Sequence, residues 1–448
     1  MPDSLRSAPA VLAALLGAAL AAFVLTDPPG GRWAVSTSDR ELDRWLTAQP
    51  TGIAAGAVVA VGVCALMQRG GSRRIAWLTA AAATAVTVLI RVAVPGVAGV
   101  DTLVALHVVK SLAAGTLLGA AAAGSWGHRI PQIALALGTV AGFLSVTSWG
   151  AATATQSTST LGEPSQWVLA LTLAATIAAA ALANPSSRIP HITGIEARDA
   201  LVTITAVAVT NRLLIAWIGR DTGESRLHTW VIVVIATVVV LVVTEVAARL
   251  LARRTDPGNA AIVLAATGIA AAAMPVLVDL RGPLRDVSPW AAVAVAGLAV
   301  AVGLAVAARR PLPVVGLAVA ALVPAAGTLW PDFGAQGPWL LVRLAVVTVG
   351  AGIAVGSALP GSAAVATVGL AVPFVSTVFH AAATVIVPTE WGYAPLTNAD
   401  GGIDFLGSEQ FTTLMLGLPH YDDRIAGVVL ALAVVFCAWG VHGLRRSR

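Results

Sequence analysis

Apolar residues along this chain come in long runs rather than in strict alternation. Fourteen runs stand out, at roughly 8–26, 51–68, 75–94, 102–123, 130–149, 166–184, 199–218, 228–250, 260–280, 290–308, 311–329, 338–358, 362–387 and 425–443. A helix needs about 20 apolar residues to cross the ~30 Å hydrocarbon core of a bilayer. Backbone groups in lipid have no water to bond, so a spanning segment closes its hydrogen bonds internally. The pattern therefore predicts an all-α polytopic membrane protein with about 14 transmembrane helices. Pro275, Pro324 and Pro373 fall inside three of the later runs, where prolines kink a membrane helix without ending it.

The polar residues between the runs orient them. With the N-terminus inside, 15 of the 27 basic residues fall on the inner side, among them Arg69, Arg73, Arg74, Arg129, Arg253, Arg254, Arg309 and Arg310. Such an excess marks cytoplasmic loops. Trp149, Trp167, Trp217, Trp230, Trp290, Trp330 and Trp339 fall at the opposite helix ends, where an aromatic belt meets the outer interface. Both termini are expected in the cytoplasm, in a multi-pass protein of the cell (inner) membrane. The longest extramembrane stretches are 388–424 and 27–50, both outside, and neither is long enough to bury a core of its own.

Composition narrows the function. The chain is 57 % hydrophobic and only 11 % charged, against about 25 % charged for a soluble domain. Its net charge of +5 comes without a basic stripe on a soluble face, so no nucleic-acid partner is expected. Cys64 and Cys437 sit within apolar runs and predict no disulfide framework. There is no phosphate-binding glycine loop, no H-E-x-x-H and no nucleophile triad. The expectation is no enzyme, no catalytic residue, no cofactor and no metal; the partners are the lipid bilayer and a small-molecule or lipid substrate.

The stretch CALMQRGGSRR at 64–74 resembles the helix 2–3 loop of the fourteen-helix drug:proton antiporter branch of the major facilitator superfamily, which reads G-x-x-x-D-R-x-G-R-R. Arg69, Gly71 and Arg73 match; Cys64, Gln68 and Ser72 stand where that pattern has glycine, aspartate and arginine. In helix 4 the family carries R-x-x-Q-G, and this chain has His107, Lys110 and Ser111 in that register. The acid of the family's helix 1 and the glycine-proline signature of its helix 5 are missing. The resemblance implies a six-helix bundle over 1–198, two linker helices over 199–258, and a second six-helix bundle over 259–448 that includes the outer loop 388–424. It also implies a gating loop at Arg69, Gly71 and Arg73. Substrate would bind between the bundles and rocking would alternate access.

The chain's one lysine lies inside a run, which is the unusual feature. A charge at the bilayer centre costs roughly 2.5–3.5 kcal/mol on insertion scales. Lys110 and His107 are three apart and share a helix face. Arg91, Arg212, Arg343 and His380 also fall in the outer halves of their runs. Lys110, His107 and Arg212 are expected to line a cavity open to the outside that attracts an anion, with the other three as further binding residues. His107 and Glu245 are the candidates for proton coupling. The plainer alternative is that each cation snorkels to headgroups separately and that Glu245 pairs with Arg249 one turn on.

The expected function is a transporter-like protein that moves or binds an anionic or amphiphilic small molecule or lipid by alternating access. Two other classes compete. A membrane glycosyltransferase using lipid-linked sugars would employ acids just after helix 1, and Asp27, Asp39, Glu41 and Asp43 are there. A non-transporting scaffold would dock a membrane protein partner on the acidic loop 388–424.

Overall fold

The computed structural model describes residues 3–26, 38–94, 99–153, 161–162, 164–184, 187–221, 225–254, 257–281, 286–330, 334–385 and 423–446. These form fifteen helices: α1 (Asp3–Thr26), α2 (Asp39–Gly70), α3 (Arg73–Ala93), α4 (Val100–Ser125), α5 (Arg129–Thr153), α6 (Gln166–Leu182), α7 (Gly194–Asp221), α8 (Arg226–Ala252), α9 (Pro257–Asp279), α10 (Pro289–Arg309), α11 (Pro313–Leu329), α12 (Gly337–Ala358), α13 (Ala363–Val375), α14 (Thr377–Ala383) and α15 (Asp423–Arg446). No β-strand occurs among the described residues. Counting α13 and α14 as one span, twelve helical segments are long and apolar enough to cross a membrane. Two more, α6 and α11, are apolar but 17 residues long. The chain is an integral membrane protein.

Two elements depart from the run pattern. The stretch 39–50, expected in an outer loop, continues α2 to a length of 32 residues. Glu41 holds its start, because its carboxylate accepts the Ser38 amide at 3.0 Å and the Ser38 hydroxyl at 2.8 Å. Pro50 lies inside α2 without ending it. Conversely, the run at 362–387 is one span broken in two: α13 stops at Val375, two residues after Pro373, and α14 restarts at Thr377.

Many hydroxyls inside the spans are satisfied locally. Thr84, Thr139, Thr267, Thr348 and Thr367 each donate to the carbonyl four residues earlier. Packing rests on alanine and glycine, which let backbones approach closely in the absence of a hydrophobic drive between helices in lipid. A Cβ on Gly115 would lie 2.0 Å from the Gly56 carbonyl oxygen, and one on Gly119 would lie 2.1 Å from that of Ala60. α2 and α4 are thus in backbone contact.

The same pairings recur in the two ends of the chain. α2 packs on α4 and α10 on α12; α1 packs on α4, α5 and α6; α9 packs on α12, α13 and α15; α3 meets α4 and α6 as α11 meets α12 and α15. The glycine contact repeats too, since a Cβ on Gly303 would lie 2.4 Å from the Val349 oxygen. The two sets meet chiefly along two seams, α2 with α13 and α5 with α10. α7 and α8 pack on each other, α7 also on α2 and α13, and α8 also on α9 and α15.

A side chain at Gly119 has to push α2 from α4, so Gly119→Val is expected to cost roughly 1–3 kcal/mol or more. Gly297 has no atom within 4 Å of an added Cβ, and Gly297→Ala is expected to be neutral. Thermal unfolding of the two variants in detergent separates them; equal melting would refute the backbone contact.

Candidate functional site

Lys110 and His107 share a face of α4, and both are buried. The Lys110 ammonium donates to the carbonyl of Leu161. The His107 ring lies edge-on to Trp45 at 5.8 Å, and its Nε2 is 3.2 Å from the Gln49 carbonyl of α2. Its Nδ1 has no partner among the described residues. Trp45, Ile90, Val94, Val100, Leu103 and Leu161 form a separate apolar cluster at this end of the molecule. The lysine is therefore fully buried and bonded to Leu161, and does not face open water.

Arg212 lies elsewhere, which corrects the expectation of one shared cavity. From α7 it donates to Thr51 Oγ1 at 2.7 Å and to the Thr47 carbonyl at 3.2 Å. His107 meets α2 at Trp45 and Gln49, and a Cβ on Gly52 would lie 2.9 Å from its Nε2. At about 100° per residue, positions 47 and 51 point away from 45, 49 and 52. α2 stands between Arg212 and the Lys110–His107 pair.

The remaining cations are dispersed as well. Arg91 donates to the Pro164 carbonyl, so Arg91 and Lys110 both bind the segment that precedes α6. Arg343 pairs with Asp279 at 2.7 Å across α12 and α9, with side chains 10 % and 24 % exposed. His380 is half-buried on α14. Glu245 pairs with Arg249 at 2.7 Å, one turn apart on α8, while its second oxygen is buried without a partner among the described residues. Nothing brings Glu245, at the far end of α8, to His107. Of the acids considered for an enzyme, Glu41 is engaged by Ser38, whose amide and hydroxyl hold its carboxyl below the ordinary range and weaken it as a base. Asp27, the side chains of Asp39 and Asp43, and the loop 388–422 lie outside the described residues.

The loop between α2 and α3, where the family resemblance led a gate to be expected, is built as a junction at the arginine-rich end. A Cβ on Gly71 would lie 2.7 Å from the Met67 oxygen, so glycine is required there. Arg69 is exposed. Arg73 donates to the Trp126 carbonyl at 2.8 Å. The Trp126 indole in turn donates to the Gly361 carbonyl at 2.8 Å, reaching from the first set of helices to the second. Two further bonds cross there. Gln68 accepts from the Ala364 amide at 2.9 Å while donating to the Pro190 carbonyl at 3.1 Å, and Arg129 donates to the Ala308 carbonyl at 3.2 Å. In the family pattern Gln68 stands as a mismatch, and no motif marks Trp126. The signal for Gln68 was its position, because an oxygen at the first amides of α13 meets unpaired donors whichever side chain supplies it.

At the opposite, tryptophan-rich end, the α5–α10 seam parts. A groove of about 1010 Å³ opens between α1, α5, α6 and α10. Trp149, Trp167 and Trp290 stand along it, with Ser145, Ser165 and Gln166. Arg91 is the one charged residue among the described residues that line it.

No family model matches the chain, and no curated protein matches it. Solved structures do. A mutant of the peptide transporter POT in complex with sulfate is 13 % identical, with a TM-score of 0.51 over 98 % of this chain and 93 % of that one. The same transporter in complex with alafosfalin is 14 % identical, with a TM-score of 0.50 over the same shares. The partially occluded, inward-open xylose transporter XylE from E. coli is 11 % identical over 96 % of each chain, with a TM-score of 0.44. The POT likeness carries the fold alone: this chain has the fold of the major facilitator transporters. It does not single out the fourteen-helix drug:proton branch.

Removing one partner of a buried ion pair costs roughly 3–5 kcal/mol, whereas an apolar replacement of both is often tolerated. Asp279→Ala is therefore expected to destabilise strongly and Asp279→Ala with Arg343→Met to recover much of the loss, as a double-mutant cycle of melting in detergent would record. Lys110→Met keeps the stem's volume and removes the donor to Leu161. Amide exchange around Leu161 is expected to quicken while that of α7 stays unchanged; a change at α7 would reinstate a site shared with Arg212.

Proposed function

We propose that this chain is a membrane transporter that moves an anionic or amphiphilic small molecule or lipid by alternating access. One observation carries the reading. The two sets of helices are bonded together at one end, by Gln68, Trp126 and Arg129, and part into a groove of about 1010 Å³ at the other. A molecule closed at one end and open at the other along one seam is half of an alternating cycle. The repeated packing supplies the rest, because two similar bundles can rock about a common interface. In this reading α1–α6 and α9–α15 are the moving bodies and α7 and α8 are an inserted pair. Arginine placement puts the bonded end and both termini in the cytoplasm.

The latch is weak enough to open. Each hydrogen bond contributes about 0.5–1.5 kcal/mol net, so three of them bias the equilibrium without locking it. The anionic preference follows from Arg91, the charge at the groove.

Gln68→Leu removes the contact to Ala364 and is expected to raise the cytoplasm-open population roughly tenfold, the equivalent of about 1.4 kcal/mol. Spin labels on Arg74→Cys and Arg310→Cys, both exposed, report the distance across that end; the native Cys64 and Cys437 are buried and label slowly. In proteoliposomes the purified chain is expected to speed the crossing of a fluorescent anionic amphiphile, and Gln68→Leu to change that rate. Unaltered distances together with no crossing would sink the proposal.

A further inference from the structure

The two seams are covered differently. α7 packs over both α2 and α13, so the inserted pair lies against that seam. α10 packs chiefly on α5 and α12, and its outward residues Trp290 and Leu298 are 58 % and 70 % exposed. The α5–α10 seam thus opens sideways, to where lipid lies, and the groove runs along it.

We propose that this groove is a lateral binding site for an anionic, phospholipid-like amphiphile from the leaflet at the tryptophan-rich end, its tail in the groove and its headgroup beside Arg91. The proposal names the substrate class and entrance of the transport reading, and rests on that reading only for the onward step.

Length supports it first. The lining runs on α10 from Trp290 to Ala301; at about 1.5 Å per residue that is ~16 Å, close to the ~15 Å of one leaflet's hydrocarbon. Chemistry supports it second. The deeper lining is alanine, glycine, valine and leucine, with Ser145 bonded back to the Ala141 carbonyl of its own helix, whereas Ser165, Gln166 and the tryptophans gather at the helix ends, the level of headgroups. Charge supports it third. Arg91, which also donates to the Pro164 carbonyl, is the one charged residue among the described lining, and its positive charge is matched by a headgroup phosphate beside it. Lastly, the groove has unfilled floor: Gly297 lines it, and an added Cβ there meets no atom within 4 Å. A larger side chain at 297 would occupy the tail's place without pressing on a neighbouring helix.

The test uses the full purified chain in phosphatidylcholine nanodiscs holding a trace of phosphatidylglycerol with a photoreactive tail. Labelling is expected on α5 and α10. A phosphatidylcholine probe of the same tail is expected to label roughly fivefold less, the size of one arginine's pull on an anionic headgroup. Gly297→Trp is expected to lose most of the labelling, and Gly297→Leu serves in its place if the tryptophan variant misfolds. Arg91→Gln is expected to keep tail labelling and erase the preference between headgroups. Full labelling in the Gly297 variants, or equal labelling by the two lipids in the unaltered chain, overturns the site. The readout needs no transport. Labelling without any crossing of the amphiphile keeps the site and defeats the transport reading; crossing at the normal rate in Gly297→Trp does the reverse.

Discussion

A polar group inside a bilayer has to find its partner within the protein, and that constraint organises this molecule. Water is absent, so each donor left open costs several kcal/mol. Thr84, Thr139 and Thr348 solve it within their own helices, by bonding back one turn. The long cations solve it between elements. Lys110 and Arg91 bond the carbonyls of Leu161 and Pro164, Arg212 bonds Thr47 and Thr51, and Arg343 takes Asp279. Each solution pins one helix to one neighbour. Together they distribute positive charge around the tryptophan-rich half instead of concentrating it in one place.

This explains how much of the site the sequence could reveal. The runs of apolar residues located the helices, because length and hydropathy are properties of each segment alone. The break after Pro373 and the extension of α2 through Pro50 depended on local bonding that hydropathy does not register. The cations were visible as anomalies, but their directions were not. Lys110 and His107 share one face, since spacing along one helix decides that. Arg212 was grouped with them by depth, and depth says nothing of which side of α2 a neighbouring helix occupies. The Glu245–Arg249 pair was legible because it lies within one helix; the Arg343–Asp279 pair was not, because it joins two.

The glycines have a related role at the level of backbone. α2 meets α4, and α10 meets α12, at positions where a methyl group would collide with a carbonyl oxygen. Such contacts make each set of helices stiff, since van der Waals packing in lipid depends steeply on approach. The seams between the sets hold fewer of them. The two sets are thus stiff bodies joined by looser seams, and α7, with α8 packed on it, covers the α2–α13 seam but not the α5–α10 seam.

Gln68 shows how the bonded end differs in kind from the other. A carboxylate at the first turn of α13 would gain about 0.3–1 kcal/mol from the helix dipole. The amide gives up that charge and gains a donor, which it uses on the Pro190 carbonyl. With the Trp126 indole beside it, two of the three crossing bonds join neutral groups, and the arginine of the third is exposed to solvent at its head. None of the three crossing bonds is an ion pair. At the tryptophan-rich end, by contrast, Asp279 and Arg343 hold a largely buried ion pair. The two ends therefore hold different things: the neutral hydrogen bonds run between the two sets and cost little to separate wherever water can replace them, whereas the ion pair joins α9 to α12 within the second set and stiffens that set rather than a seam.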